Sequence, residues 1–284
     1  MLRNVPVFLR CGVTVRADLR HPEWAKVAGR GYHELGTERF LVDYLQPGDV
    51  VIDVGAHIGM LTAVASKLVG TSGKVYAFEV DAINFDELIR TIRRNHLRNV
   101  KAENIGLSDR SGVFEFVRPK DSWGSFMLSH NDTFSRSQNQ SALSKIFGCR
   151  EKESYTRPAI TIDEYIHAKA MNRCNLIKID VDGPELAILN GAANSLARYR
   201  PALIVEASMF NLDHGVSFDD MFSFLTEQDY SLFAAVHTED NVVSIRTPTD
   251  LPVDILHDTR SVNLFCLPLD VHKQRWRNLW FPAG

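Results

Sequence analysis

Charged residues occupy alternate positions in KIDVDG, which ends an otherwise aliphatic segment. Residues two apart on a β-strand share a face, so Lys178, Asp180 and Asp182 are expected to point the same way near the strand's carboxyl end. An acid there can take the proton of an alcohol as its oxygen attacks an electrophile, and a second acid raises the pKa of the first. We predict Asp180 as general base or substrate-orienting group and Asp182 as second candidate, with Lys178 limiting the negative charge.

Structural roles are open for two of these residues. Asp182 can instead cap the helix that begins near Pro184, and Lys178 is expected to be an ion-pair partner rather than a catalyst. Glu206 ends the following strand, PALIVEAS, and is a further candidate for binding substrate hydroxyls.

Residues 50–70, VVIDVGAHIGMLTAVASKLVG, contain a glycine turn. This turn offers a site for a second ligand beside the alcohol. Gly55 permits a sharp turn, and Gly59 permits the following helix to pack tightly against the strand, so that the N terminus of the helix faces the ligand. A dinucleotide loop needs glycine where His57 stands, because its backbone approaches a pyrophosphate. Glu79 ends the next strand and can accept hydrogen bonds from ribose hydroxyls. The pattern favours a nucleoside without phosphates, and S-adenosylmethionine fits, with Asp53 near its cationic end or orienting the loop.

Alternating strands and helices must position these residues. VVIDVG and VYAFEV are typical of buried strands, each is followed by apolar residues at helical spacing, and the alternation resumes at NLIKIDV. It predicts a doubly wound α/β domain with a mostly parallel sheet. The predicted divisions are an N-terminal appendage with a leading helix at 1–48, the main domain at 49–270 and a C-terminal tail at 271–284 that packs on the domain.

A polar segment from 119 to about 158 interrupts the domain. It is rich in Ser, Asn, Gln and Asp and has few aliphatic residues, which indicates a surface insertion or lid. Trp123 within it is a candidate to pack on the C–H surface of a sugar or ring. A disordered tether is the alternative interpretation.

Composition limits the partners of the chain. The net charge of −3 gives no overall basic field to attract nucleic acid, so no nucleic-acid partner is expected. The four cysteines are scattered and the ten histidines show no ligand spacing, so we predict free thiols and no metal site. The longest apolar run contains charged residues, so no membrane span is expected. We expect a cytoplasmic protein, and the sequence does not predict its oligomeric state.

Four segments together resemble the FkbM family of S-adenosylmethionine-dependent methyltransferases. They are VVIDVGAHIGMLTAVASK, KVYAFEVDAINFDELIRTIRRN, ENIGLSDRSGVFEF and NLIKIDVDGPELAILNGA, and they occur in the family's order. The resemblance implies a class I, Rossmann-like methyltransferase fold with a seven-stranded sheet whose last strand is antiparallel. It also implies O-methylation of a sugar, polysaccharide or natural-product hydroxyl, with a small-molecule or saccharide acceptor.

The resemblance also implies site residues. The cofactor site is implied at Asp53, Gly55, Ala56, His57, Gly59, Glu79 and Val80, with Asn104 and Ile105 near the adenine and Glu38 near the methionine end. The sequence departs from the family pattern at three positions. His57 replaces an asparagine, Val80 a proline and Asp182 a glutamate; the first two bear on cofactor contacts and the third on the reaction site.

Three alternative functions remain open at this point. A nicotinamide-dependent oxidoreductase also uses a glycine turn and a ribose-binding acid, although His57 argues against it. An RNA 2′-hydroxyl methyltransferase also combines a lysine with acids. A nucleoside-binding module without catalysis would keep the cofactor site but methylate no acceptor.

Overall fold

Three sheets contain all the strands in the described part of the chain. The computed structural model describes residues 5–20, 22–119, 126–127, 152–208, 217–236, 241–251, 261–268, 271 and 275. The strands are β1 (Val5–Phe8), β2 (Thr14–Ala17), β3 (Val50–Val54), β4 (Lys74–Phe78), β5 (Val100–Glu103), β6 (Gly106–Leu107), β7 (Gly112–Pro119), β8 (Phe126–Met127), β9 (Lys152–Ile160), β10 (Leu176–Ile179), β11 (Ala202–Ser208), β12 (Tyr230–Val236), β13 (Asn241–Ile245) and β14 (Ser261–Pro268).

The described helices follow the predicted alternation. They are α1 (Pro22–Arg30), α2 (Leu35–Tyr44), α3 (Met60–Val69), α4 (Ala82–Arg94), α5 (Ile162–Ala168), α6 (Glu185–Asn190), α7 (Ala193–Tyr199) and α8 (Phe218–Glu227). Ser217 caps α8 in a capping box with Asp220, as the sequence indicates. In the described residues, we find no helix with both the length and the apolar character that a membrane crossing requires.

The central sheet has the strand order β13-β12-β14-β11-β10-β3-β4-β5. Neighbouring strands from β5 to β11 are parallel, and β14 runs antiparallel between β11 and β12. The predicted α/β class with an antiparallel last strand is confirmed. The sheet has an eighth strand because β13 forms a hairpin with β12. The chain order reverses between β3 and β10, where the carboxyl ends of parallel strands leave a crevice.

Alternate residues of the central strands bury into two clusters on opposite faces. Ile52 and Ile179 belong to the cluster that includes α5 to α8, whereas Val51 packs with Phe40 and Tyr44 of α2. α2 contains the predicted leading helix ERFLVDYL. These two layers hold the ends of β3 and β10 in fixed positions.

A second sheet has the order β6-β9-β7-β8. Its strand β9 pairs antiparallel with β7, from Gly112 opposite Ala159 to Pro119 opposite Lys152. Residues 152–158 are therefore strand rather than part of the predicted polar insertion. The composition of this segment hid the strand, because Tyr155, stacked on Phe116, is its one hydrophobic contact with the second sheet's core, and the aliphatic residues Ala159 and Ile160 follow only at the end of β9. Trp123 lies outside the described residues, and the lid remains a prediction.

The N-terminal appendage packs on the start of α3. The β1–β2 hairpin and α1 contribute Val7, Val15 and Trp24 to a buried cluster that also contains Ile58 and Met60. The sequence predicts the segment but does not predict this packing. The N-terminal appendage is thus in contact with the loop that follows β3.

The predicted tail contacts the central domain at its described position 275. Arg275 makes two hydrogen bonds with the carboxylate of Asp49, at 2.6 and 2.9 Å, and its guanidinium lies 5.3 Å from the centre of the Tyr44 ring. Because Asp49 immediately precedes β3, this contact attaches the tail to the base of the central sheet.

Candidate active site

A cleft with a volume of about 270 Å³ opens at the carboxyl ends of β3, β4 and β10. Seven residues that the sequence analysis selected line it: Gly55, His57, Glu79, Val80, Ile105, Asp180 and Asp182. The strand ends, rather than any single motif, bring them together. The cleft lies where the doubly wound fold predicts a ligand site.

Gly55 and Gly59 shape the loop of the cleft for different reasons. Gly55 has φ +75°, and a Cβ there would lie 1.8 Å from the carbonyl oxygen of Asp180. Gly59 has φ +86°, and its Cβ would lie 2.5 Å from Cδ1 of Leu88. Gly59 therefore permits close packing against α4, not against the strand as the sequence analysis expects. No other residue type fits the observed backbone at Gly55.

Glu79 is fixed at the end of β4 by backbone donors. Its Oε2 accepts a hydrogen bond from the N–H of His57 (2.8 Å), and its Oε1 accepts one from the N–H of Asp81 (2.8 Å). Burial raises the pKa of Glu79 to about 7, although these two N–H groups act in the opposite direction. Each carboxylate oxygen has a further lone pair, so Glu79 can accept additional hydrogen bonds from a ligand.

His57 holds the backbone of the glycine turn in a left-handed conformation, with φ 52°. Burial, with a smaller effect of the nearby His33, lowers the pKa of His57 to about 4. The imidazole is therefore neutral at physiological pH and does not repel a cationic ligand.

Lys178 forms an ion-pair network beneath the cleft. Its Nζ lies 2.9 Å from Oδ2 of Asp180 and 3.7 Å from Oδ1 of Asp53, and its side chain is 5% exposed. Burial disfavours the charged form of Asp180, but the Lys178 ammonium outweighs this effect and lowers the pKa of Asp180. The predicted ion-pair role of Lys178 is confirmed.

Asp182 lies in the loop between β10 and α6 with φ 57°. β10 ends at Ile179, so Asp180 and Asp182 both lie beyond the strand and the predicted alternation covers only Lys178. Burial, followed by the charges of Asp180 and Glu185, raises the pKa of Asp182 to about 8. Asp182 does not cap α6, since Pro184 occupies the cap position without a side-chain hydrogen bond. Asp182 is thus a half-buried acid that titrates near neutral pH.

Glu185 holds the loop that carries Asp182. Its carboxylate accepts hydrogen bonds from the N–H groups of Val181 (3.2 Å) and Gly183 (3.1 Å). Glu206 lies on β11, and burial, followed by the charges of Asp180 and Asp182, raises its pKa well above the ordinary value. The carboxyl group of Glu206 is therefore harder to ionise than that of an exposed glutamate.

Several predicted residues support the cleft without lining its described surface. Asp53 accepts a hydrogen bond from Thr62 and faces Lys178. The amide of Asn104 donates to the carbonyl oxygens of Glu79 (2.7 Å) and Val80 (3.1 Å). The supporting residues are Glu38, Asp53, Ala56, Gly59, Asn104, Lys178 and Glu206. Direct contact of these residues with a ligand remains a prediction.

The sequence analysis missed other lining residues, which include His33, Glu34, Asn84, Leu107 and Phe116. Asn84 carries a signal, because Asp81 caps α4 through the N–H groups of Ile83 and Asn84, and a helix start after β4 faces the crevice. The other four precede an element or belong to the second sheet, where no sequence pattern indicates a site.

The cleft has two chemically distinct ends. Phe78, Ile105, Leu107 and Phe116 form an apolar wall suited to a flat base, and Glu79 lies beside it. Glu34 and Asp180 give the remaining wall a negative charge, suited to a cationic group, and Asp182 lies in the same wall. A nucleoside attached to a cationic chain matches this order of surfaces. S-adenosylmethionine has that composition, so the residues present fit it.

Comparison with known proteins identifies the family. The FkbM methyltransferase domain matches residues 53–232. The chain is 29% identical over 158 residues to the hexuronic acid methyltransferase AglP of Haloferax volcanii, which covers 56% of each protein. It is 35% identical over 88 residues to a ribosomal protein L11 methyltransferase of Thermoanaerobacter, which covers 30% of this chain and 27% of that protein. The chain thus spans just over half the length of AglP and about a quarter of the length of the L11 methyltransferase.

The chain is also similar to a solved structure of an FkbM methyltransferase from Methylobacillus flagellatus, with 16% sequence identity and a TM-score of 0.46. The match covers 86% of this chain and 58% of the solved chain. The domain match covers more than half of this chain and is to a methyltransferase family rather than to an oxidoreductase family. The chain therefore belongs to the FkbM family of S-adenosylmethionine-dependent methyltransferases.

Proposed function

We propose that the chain methylates a hydroxyl group of a neutral sugar, polysaccharide or natural-product alcohol. One observation carries the proposal: the same cleft is lined by Glu79, the candidate for binding ribose, and by Asp182, a candidate for the general base. The cofactor and its acceptor can therefore meet without a large movement of the described residues.

We propose that Glu79 accepts hydrogen bonds from the ribose hydroxyls, the apolar wall packs on the adenine, and Glu34 and Asp180 face the cationic end. When bound, S-adenosylmethionine supplies an electrophilic methyl group. The residues around it must hold the acceptor oxygen roughly 3 to 3.5 Å from that group. The half-enclosed cleft supports such positioning.

Asp182 is a better candidate for the general base than Asp180, which the sequence analysis ranks first. A catalytic base works best when its pKa lies near the working pH. The ion pair with Lys178 keeps Asp180 ionised but weakly basic, whereas the pKa of Asp182 is about 8. In this proposal Asp182 takes the hydroxyl proton, and Asp180 orients the acceptor.

The charge of the cleft supports a neutral acceptor. Among the described lining residues, Glu34, Glu79, Asp180 and Asp182 carry carboxyl groups and none is a lysine or arginine. An acceptor carboxylate would face the carboxylates of Glu34 and Asp180 with no cation in the described lining to pair with it, whereas an alcohol needs a base such as Asp182. The similarity to AglP, a hexuronic acid methyltransferase, supports a saccharide substrate but leaves the methylated group open.

Incubation with methyl-labelled S-adenosylmethionine and matched neutral sugars, uronic acids and alcohols tests the proposal. We expect an alkali-stable methyl ether on a neutral acceptor. Alkali-labile methyl esters formed only on uronic acids would contradict it. Label in RNA that depends on a single 2′-hydroxyl would instead support the RNA alternative, which the acidic lining does not favour.

We also propose that the protein acts in the cytoplasm. Cys11, Cys174 and Cys266 are free thiols in the described structure, as a reducing compartment permits. Fractionation of the native cells, followed by detection of the chain, tests this location; recovery from an oxidising compartment would contradict it.

A further inference from the structure

Trp24 of α1 contacts two walls of the cleft through its indole ring. The ring stacks on His57, with centroids 5.8 Å apart and planes at 13°, and on His33, with centroids 6.0 Å apart and planes at 20°. His57 and His33 both line the cleft, but they belong to the loop after β3 and the segment before α2. One side chain from the N-terminal appendage therefore joins two separate parts of the cleft.

The appendage is held firmly enough to position Trp24. The N–H of Thr14 donates to Oδ1 of Asn95 (2.8 Å), and Nδ2 of Asn95 donates to the carbonyl oxygen of Thr14 (2.8 Å). The N–H of Arg10 donates to the carbonyl oxygen of Gly31 just after α1 (2.7 Å). Trp24 itself is 4% exposed. The hairpin and α1 are thus attached to α4 and to each other around the indole.

The stack on His57 has a direct geometric consequence for Glu79. His57 adopts φ 52°, a left-handed conformation that is uncommon for any residue other than glycine. In that conformation its N–H points at Oε2 of Glu79. A restraint on the imidazole ring therefore also restrains the carboxylate at the end of β4.

The stack on His33 restrains the opposite wall. The N–H of His33 donates to Oε1 of Glu38 (3.1 Å), and Nε2 of His33 lies 3.4 Å from Oε1 of Glu34. Glu34 is among the acids that line the cleft. The indole therefore contacts both His33, which lies beside Glu34, and His57, whose N–H donates to Glu79.

We propose that Trp24 is a positioning residue for cofactor binding, acting through His57 and His33. The inference rests on the cofactor site proposed above but not on the identity of the acceptor. It assigns the N-terminal appendage a role in preorganising the cleft.

Calorimetric titration with S-adenosylhomocysteine tests this role without any methyl transfer. Trp24→Leu keeps an apolar side chain and removes the ring stack, so we expect the Kd to rise about 3- to 10-fold, the range of an aromatic pair. Trp24→Phe restores a ring and should bring the Kd to within about 2-fold of wild type. Val27→Ala, in the same helix and buried cluster, is the matched control and should lower the Tm with an unchanged Kd.

A double-mutant cycle with His57→Asn separates positioning from general packing. Without the imidazole, Trp24→Leu should raise the Kd by less than it does in the wild-type background. Equal effects in the two backgrounds, or equal Kd increases for Trp24→Leu and Val27→Ala, would overturn the proposal. Failure of every acceptor tested would refute the acceptor assignment alone, because these titrations require only the cofactor product.

Discussion

The backbone N–H of His57 donates a 2.8 Å hydrogen bond to the carboxylate of Glu79. This bond joins the glycine turn after β3 to the end of β4, so the two motifs that suggest a cofactor site form one unit. The backbone N–H groups of Gly55 and Ala56 both donate to the carbonyl oxygen of Phe78, which reinforces the same junction. A substitution in either motif is therefore expected to affect the other.

Substitution of Gly55 should be much more harmful than its backbone angle alone implies. Gly55→Ala places a Cβ 1.8 Å from the carbonyl oxygen of Asp180, so β3 and β10 must separate. We expect the free energy of unfolding, measured by urea denaturation, to fall by more than about 2 kcal/mol. Gly12→Ala is the control, because its φ of +74° is nearly identical and its nearest atom is the end of a flexible lysine. Equal losses in the two variants would show that the contact with Asp180 is unimportant.

Removal of the buried lysine should destabilise the protein in a pH-dependent way. Lys178→Met leaves the carboxylates of Asp53 and Asp180 close together with no ammonium between them. At pH 7 we expect a loss of about 3 to 5 kcal/mol in the free energy of unfolding, the usual cost of breaking a buried pair.

The sign of that pH dependence follows from Asp180. In the wild type its lowered pKa stabilises the fold above the unfolded-state pKa of about 3.9, and this stabilisation is lost as the pH falls through the folded-state pKa. The variant loses the ammonium, so its deficit should grow as the pH rises from about 4.5 to 7 in urea titrations. Lys101→Met, which removes an exposed pair with Glu103, should cost much less at either pH. A deficit independent of pH would contradict the account.

The acceptor reaction should depend on the ionisation of Asp182. Because burial raises the pKa of Asp182 to about 8, kcat/KM for the acceptor should increase with pH and level off above about 8. Asp182→Asn should lower kcat/KM by about 10² to 10⁴ and flatten the profile, while the Kd for S-adenosylhomocysteine stays within about threefold. If Asp180→Asn, rather than Asp182→Asn, flattens the profile, Asp180 is the base.

The sequence predicts the strand ends well because hydrophobic runs and turns are local signals. β3, β4 and β10 lie where aliphatic runs precede Gly55, Glu79 and Asp180, and all three residues reach the cleft. The glycine spacing correctly places the turn and the start of α3.

The remaining parts of the site depend on contacts between distant segments, which local patterns do not encode. Trp24 reaches His33 and His57 only after the appendage folds onto α3 and α4. The loop after β10 departs from strand geometry at Asp182. Glu185 holds this loop in place, because its carboxylate accepts hydrogen bonds from the N–H groups of Val181 and Gly183. The strand β9 escaped detection because pairing with β7 compensates for its polar composition.

Calorimetric titration of wild type and Glu79→Gln with S-adenosylhomocysteine tests the central claim, that this cleft holds the cofactor through Glu79. At pH 8, above the raised pKa of Glu79, the carboxylate is mostly ionised. We predict one site in the wild type and at least about tenfold weaker binding in Glu79→Gln, because a neutral amide presents one acceptor in place of two. Unchanged affinity in a folded Glu79→Gln variant would contradict the placement of the cofactor in this cleft.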